Sequence, residues 1–249
     1  MRRLLLLLGL VALALAVQAP AWLLARGVQE RTGGIVELRD PAGTIWIGQA
    51  DALVRGTAPG GRETAIGRLA WRLERIDWQH GALVFDLRQT PPAPRPTTIA
   101  IGTDRIRIAG EARLPAAAAG VLPMLRGWSI AGEALIDTDT LEVADGARTG
   151  KARVLWRNAT VVPPDFPAGF ALGEVTALVT LDGAAAVVAV RNSGGDLELT
   201  ADASSREGKM ALLLQPRAGA SAALLAWLQS HTMGRTPRGY SIDAGWPGR

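Results

Sequence analysis

The sequence predicts a mainly β fold, in which an antiparallel β-rich domain follows one N-terminal transmembrane helix. Apolar and polar residues alternate with period two in runs such as Leu83–Leu87, as expected of strands with one buried face. At least ten such runs follow one another at short spacing, separated by turn signals rich in glycine and proline. The chain also opens with an uncharged apolar run, which is typical of a membrane anchor.

The opening run contains twenty-two uncharged residues, Leu4 to Ala25, behind Arg2 and Arg3. As a helix it would span about 33 Å, enough for the roughly 30 Å apolar core of a bilayer. Because positive charge stays on the cytoplasmic side, we expect the chain from Arg26 onward to be exported.

Two alternatives to an anchor remain open, a cleaved signal peptide and a buried core helix. Val17-Gln18-Ala19 would serve as a cleavage site, but Pro20 would then begin the mature chain and the apolar run continues beyond it. We therefore favour a retained anchor at residues 1–25. Its marker residues are Arg2, Arg3, Leu4, Val17, Trp22 at the outer interface and Ala25.

After a polar juxtamembrane segment at Arg26–Asp40, the strand patterns begin. The clearest is Ile66–Leu73, where Leu69, Trp71 and Leu73 share one face. Earlier strands are expected at Ile35–Leu38, Thr44–Ile47 and Ala50–Val54, with turns at Asp40–Gly43, Gly48–Gln49 and, later, Asp77–Gly81. Two short helices are expected within Pro115–Leu125 and Ser221–Ser230.

One order of motifs occurs twice in the chain. The order begins with a glycine, a basic residue and a strand that contains Trp-Arg. Further strands and a helix follow. The order ends with the motif Arg-Gly-aromatic-Ser-Ile, which occurs at 126–130 and again at 238–242. This indicates a duplicated β-sheet unit within the domain at 26–249, with halves at about 35–137 and 138–249. The spacings differ between the halves, so coincidence stays open.

The composition argues against several classes of protein. The net charge is +4, with 27 basic and 23 acidic residues spread along the chain. We therefore expect no nucleic-acid partner, since such proteins show a basic stripe with interleaved aromatics. The absence of cysteine indicates that the fold uses no disulfides.

We find no pattern for catalysis, for a cofactor or for a metal. His80 and His231 lack carboxylates at ligand spacing, and Asp137, Asp139 and Glu142 lack the glycine and length of a calcium loop. We therefore predict a protein that is not an enzyme, with no catalytic, cofactor-binding or metal residues. The candidate core or interaction residues are Trp46, Trp71, Trp128 and Trp156.

Several motifs resemble the protein N family of the type II (general) secretion system. They are the apolar start, Gly43–Gly48, Gly67–Leu73, Gly81–Leu87, Trp156–Ala159 and the leucine-rich helix before Arg238-Gly239-Tyr240. The resemblance implies a bacterial inner-membrane protein with one anchor, a β-rich periplasmic domain and no catalytic residues. It also implies an accessory subunit that assists export of folded proteins from the periplasm by binding other inner-membrane and periplasmic components of the machinery. The alternative is a membrane-anchored periplasmic protein that binds or transfers lipid.

Overall fold

The computed structural model describes residue 10 and residues 14–56, 63–121, 125, 127–231, 234–236 and 239–245. These residues form one fourteen-stranded antiparallel sheet in which β1 to β12 follow each other in chain order, and β14 then lies between β12 and β13. The prediction of a mainly β, antiparallel fold is therefore confirmed.

The strands are joined mostly by short hairpins, as the close spacing of the alternating runs predicted. They are β1 (Val36–Gly43), β2 (Ile47–Arg55), β3 (Glu63–Asp77), β4 (Ala82–Thr90), β5 (Thr97–Ile101), β6 (Arg105–Pro115), β7 (Ser129–Ala144), β8 (Ala147–Val162), β9 (Phe170–Gly183), β10 (Ala185–Ser193), β11 (Leu197–Ser204), β12 (Lys209–Pro216), β13 (Gly234–Thr236) and β14 (Gly239–Gly245).

The two ends of the sheet differ. One end, which we call the hairpin end, carries the turns at residues 44–46, 78–81, 102–104 and 145–146. The opposite end, the helix end, carries the 3-10 helix Ala116–Val121 between β6 and β7, and helix α2 (Ala222–His231) after β12. The 3-10 helix falls within its predicted segment, and α2 extends one residue beyond its own, to His231. The duplicated unit itself stays a prediction.

The predicted buried face of β3 follows from the strand register. Leu69, Trp71 and Leu73 stand opposite Gln89, Leu87 and Phe85 of β4, and directly opposed residues of antiparallel strands lie on the same side of a sheet. This side, which we call the apolar face, continues through β7 to β12. One cross-strand row on it runs through Ile136, Val154, Ala177, Val190, Ala201 and Leu212.

Three details of the N-terminal strand prediction are wrong. Asp40, with a φ of 50°, and Pro41 form a bulge inside β1 instead of ending it, since a positive φ and a missing N–H are tolerated where pairing is interrupted. Gly48–Gln49 belongs to β2. The turn instead lies at 44–46, because the Thr44 hydroxyl accepts hydrogen bonds from the backbone N–H groups of Trp46 and Ile47.

The segment after the predicted anchor is not an extended polar linker. Helix α1 (Ala21–Arg31) packs on β1 and β2, and its own residues Ala21 and Ala25 are buried. Pro20 forms an isolated bridge with Thr44. Arg2, Arg3 and Leu4 lie outside the described residues. Among those described, no helix has both the length and the apolar character needed to span a membrane.

Candidate interaction surfaces

One apolar cluster lies beneath α1. Ala21 of the helix packs with Ala50 and Trp71 of the sheet, surrounded by Leu24 and Phe85 among others. Trp71 is only 5% exposed, so it is a core residue. Its indole Nε1 donates to the Thr44 carbonyl oxygen at 3.1 Å, which ties β3 to the turn between β1 and β2.

A second cluster fills the helix end beneath α2. Leu224 and Leu228 of the helix pack with the buried Leu197, Leu214 and Tyr240 of the sheet. Nearby, the ring of Trp227 lies 5.8 Å from Phe166 and 5.7 Å from Phe170, and its Nε1 donates to Asp165 at 3.1 Å. The helix end is thus closed by packed aromatic and aliphatic side chains. The row from Ile136 to Leu212 is half-buried and carries no charge, and its Val190 and Leu212 pack against this second cluster.

The other three predicted aromatic candidates are half-buried. Trp156 donates to the Ala131 carbonyl oxygen at 2.9 Å, and Trp46 donates to that of Ala16 at 2.8 Å. Trp128 and Trp156 pack against the cluster beneath α2. The structure therefore spreads the four tryptophans over the sheet and does not gather them into one site.

Two glycines make room for the indole rings. A Cβ at Gly48 would approach Trp71 Cζ2 at 2.6 Å, and a Cβ at Gly132 would approach Trp156 Nε1 at 2.6 Å. Each tryptophan thus lies across a neighbouring strand that lacks a side chain at that point. Among the tryptophans that the structure describes, the most exposed is none of these four but Trp78, in the turn after β3, which is 83% exposed.

The sheet has a gap where β5 is short. Strand β5 pairs with Leu83–Leu87 of β4 and with Ile106–Ala109 of β6, so the last residues of both strands have no β5 partner. Gln89 fills part of this gap. Its Nε2 donates to the carbonyl oxygens of Ile66, at 3.2 Å, and Arg113, and its Oε1 accepts from Arg113 N at 3.0 Å. One carboxamide therefore links β3 to β6.

Asn192 does the same in the second half of the chain. Its Nδ2 donates to the carbonyl oxygens of Leu172, at 2.6 Å, and Leu197, at 2.8 Å. Its Oδ1 accepts from Leu199 N at 2.6 Å. This carboxamide therefore links β9 to β11 across the end of β10. We call Gln89 and Asn192 the carboxamide clamps.

A cavity of about 420 Å³ adjoins the first clamp. Its apolar walls include Leu69, Leu87 and Leu114, and the proline-rich loop between β4 and β5 closes one side. This volume lies within the range of pockets that hold small ligands. Among its polar lining, Glu111 is paired with Arg95 at 2.6 Å through one oxygen, whereas its buried Oε2 has no hydrogen-bond partner.

The opposite face of the first strands carries an ion-pair network. Arg39 and Arg55 each contact both Glu37 and Glu63, at 2.7–2.9 Å. Hydrogen bonds from Arg55 and Arg39 hold the pKa of Glu63 below its usual range, and the bond from Arg39 does the same for the pKa of Glu37. This face is thus solvated and polar.

Ser230 and His231 at the end of α2 and Asp165 in the loop between β8 and β9 approach each other like a catalytic triad. Ser230 Oγ lies 2.8 Å from His231 Nδ1, and His231 Nε2 lies 2.6 Å from Asp165. However, Ser230 Oγ donates to the Trp227 carbonyl oxygen, and His231 Nδ1 lies 3.0 Å from that same oxygen, where it must carry a proton. A protonated Nδ1 does not accept the serine proton. The contacts instead satisfy the carboxyl end of the helix.

His80, for which the sequence predicts no role as a metal ligand, makes a local contact. His80 contacts Asp77 at 2.8 Å within its turn. No group of three or more potential metal ligands occurs among the described residues.

One comparison with known proteins, that with family models, found a match. The family model for type II secretion system (T2SS), protein N, matches residues 35–242, from the start of β1 into β14. The comparisons with curated proteins and with solved structures found no match. Because the family match covers most of the chain, the chain belongs to the type II secretion system protein N family.

Proposed function

We propose that the chain is an accessory inner-membrane subunit of the type II secretion machinery, and that its periplasmic sheet acts by binding other components. Family membership indicates a role in type II secretion. The geometry adds one observation, the uncharged row from Ile136 to Leu212 on the apolar face, whose side chains are half-buried. A surface of this kind is expected of a binding module.

The N-terminal stretch would hold this module at the membrane. Since Ala21 and Ala25 are buried on the sheet, we propose that the membrane-embedded stretch ends before Pro20. The uncharged residues 4–19 would then reach about 24 Å as a helix. That is short of a typical bilayer core, and local thinning together with snorkelling of Arg2 and Arg3 would compensate.

The two edges of the sheet differ in their capacity to bind a partner strand. Strand β1 carries a bulge, Pro41 and the charged residues Glu37 and Arg39, which discourage pairing. At the other edge, β13 pairs with β14 only at Gly239–Ser241. Residues 242–245 of β14 have no partner strand on that side among the described residues. We infer that a partner segment adds to β14.

Crosslinking in cells tests this role. A photoreactive residue at Ala244 of β14 is expected to capture a secretion component, whereas the matched control at Glu37 of β1 is not. The same cells report secretion of a folded substrate. Equal capture of secretion components at both edges contradicts strand addition at β14. Normal secretion without the chain contradicts the role in export.

Lipid binding is the second candidate function, and the cavity beside Gln89 favours it. Its leucine-lined walls and its volume suit an aliphatic chain. Native mass spectrometry of the purified full chain is expected to show copurified phospholipid. Ala93→Trp, which places an indole in the cavity wall, is expected to abolish that signal. Absence of lipid from the wild-type chain contradicts this candidate.

A further inference from the structure

A row of aliphatic side chains crosses five strands at the hairpin end. The register places Ile76 opposite Leu83, Leu83 opposite Ile101, Ile101 opposite Ile106, and Ile106 opposite Val143. Directly opposed residues share one side of the sheet at a spacing of about 5 Å, so the row is about 20 Å long. It lies on the apolar face, since Leu83 alternates with Phe85 and Leu87 along β4.

Much of this row is in contact with solvent. Ile76, Ile101 and Val143 are 41%, 40% and 41% exposed. Trp78, in the turn that adjoins Ile76, is 83% exposed. Single exposed apolar residues are ordinary on protein surfaces, but here they are gathered at one end of one face.

The N-terminal stretch leaves the domain at this same end. Ile45 N donates to the Ala19 carbonyl oxygen at 2.9 Å, and Trp46 Nε1 donates to the Ala16 carbonyl oxygen at 2.8 Å. Trp46 in turn lies beside β3, because its carbonyl oxygen accepts a hydrogen bond from Leu73 N. The uncharged N-terminal stretch and the exposed row are therefore neighbours.

We propose that the hairpin end rests on the surface of the phospholipid bilayer, with Trp78 and the row from Ile76 to Val143 in the headgroup region. An indole at a turn is well suited to this position, because its apolar ring and its N–H match the boundary between chains and headgroups. The row supplies aliphatic contact beside it. This inference rests on the proposed anchor, and it fixes which end of the sheet faces the membrane.

Site-specific labelling of the full chain in phosphatidylethanolamine and phosphatidylglycerol vesicles tests the orientation. Because the chain has no cysteine, each introduced cysteine is unique. An environment-sensitive fluorophore is attached at Trp78→Cys, at Ile101→Cys, or at Val17→Cys in the N-terminal stretch. Ala218→Cys, exposed at the helix end, is the control. Lipids brominated on the acyl chain close to the headgroup then quench any label that lies at the boundary between chains and headgroups.

We expect quenching at Trp78, Ile101 and Val17 and none at Ala218. Quenching at Val17 without quenching at Trp78 and Ile101 overturns the membrane-facing row and leaves the anchor intact. That result would assign the exposed row to a protein partner instead. No quenching at Val17 overturns the anchor in the proposed function. Equal quenching at all four positions overturns the defined orientation.

Discussion

Replacement of Gln89 by methionine tests whether the carboxamide clamp holds the gap between β3 and β6. The side chain keeps its length, but the Ile66 carbonyl and the Arg113 N–H and carbonyl lose their partner. Each buried backbone group left unpaired costs about 1–3 kcal/mol. Gln89 is half-buried and water reaches part of the site, so we expect a loss of about 2–4 kcal/mol in the free energy of unfolding.

Urea unfolding of the full chain in detergent, followed by tryptophan fluorescence, measures this loss. Gln79→Met is the matched control, because Gln79 is exposed in the turn after β3 and the same exchange there is expected to change stability by less than about 0.5 kcal/mol. Equal stability of the two variants would refute the clamp.

Gln89→Glu separates hydrogen bonding from packing. An ionised carboxylate has no hydrogen to donate and faces two carbonyl oxygens, so we expect a loss at neutral pH at least as large as that of Gln89→Met. Burial and these oxygens raise the folded-state pKa of the new carboxyl above its unfolded value of about 4.3. Its neutral form is therefore favoured in the folded chain, and the deficit relative to wild type shrinks as the pH falls through that raised pKa. A deficit that is independent of pH contradicts this account.

Three further predictions concern other parts of the sheet. Gly132→Ala places a Cβ about 2.6 Å from Trp156 Nε1 at a φ of +112°, and we expect it to lower the free energy of unfolding by about 2–4 kcal/mol. Gly120→Ala is the control, because nothing lies near its Cβ, and it is expected to cost less than about 0.5 kcal/mol in the same unfolding experiment. The lowered pKa values of Glu37 and Glu63 mean that their pairing stabilises the fold above about pH 4.3 and that this contribution is lost as the pH falls through their folded-state pKa values. The difference in the free energy of unfolding between wild type and Arg39→Gln is therefore expected to shrink from about pH 5 to about pH 3. A difference that stays constant over this range would show that the ion pairs do not stabilise the fold. Ser230→Ala is expected to leave secretion unchanged, and a loss of secretion at normal protein level would indicate that the contact of Ser230, His231 and Asp165 is catalytic.

Strands were predictable because their signal is local. Alternation along β3 identified the side on which Leu69 and Trp71 lie, and the register with β4 confirms it. The turn at Thr44 was not predictable in the same way. Ile45 and Trp46 are residues typical of strands, but the hydrogen bonds of the Thr44 hydroxyl, together with the bond from Thr44 N to the Ile47 carbonyl oxygen, turn the backbone there.

Helix α1 shows a second limit of sequence reasoning. A helix that packs on a sheet and a helix that enters a bilayer both select apolar residues, so Ala21 and Ala25 fit either environment. The clamps show a third limit. The Gln89 side chain contacts backbone groups 23 and 24 residues away in the chain, and no local pattern distinguishes such a glutamine from one in an exposed turn.

The clamps and the tryptophans bear on the predicted duplication. Each half has a tryptophan that lies over a glycine of the preceding strand, first Trp71 over Gly48 and then Trp156 over Gly132, a glycine just before the second half. A carboxamide clamp follows, and then a helix at the helix end. A sheet without a second full layer needs such local ties, because no opposing sheet fixes its strand ends. Features of the same kind thus occur in the same order in both halves, as the predicted duplication requires.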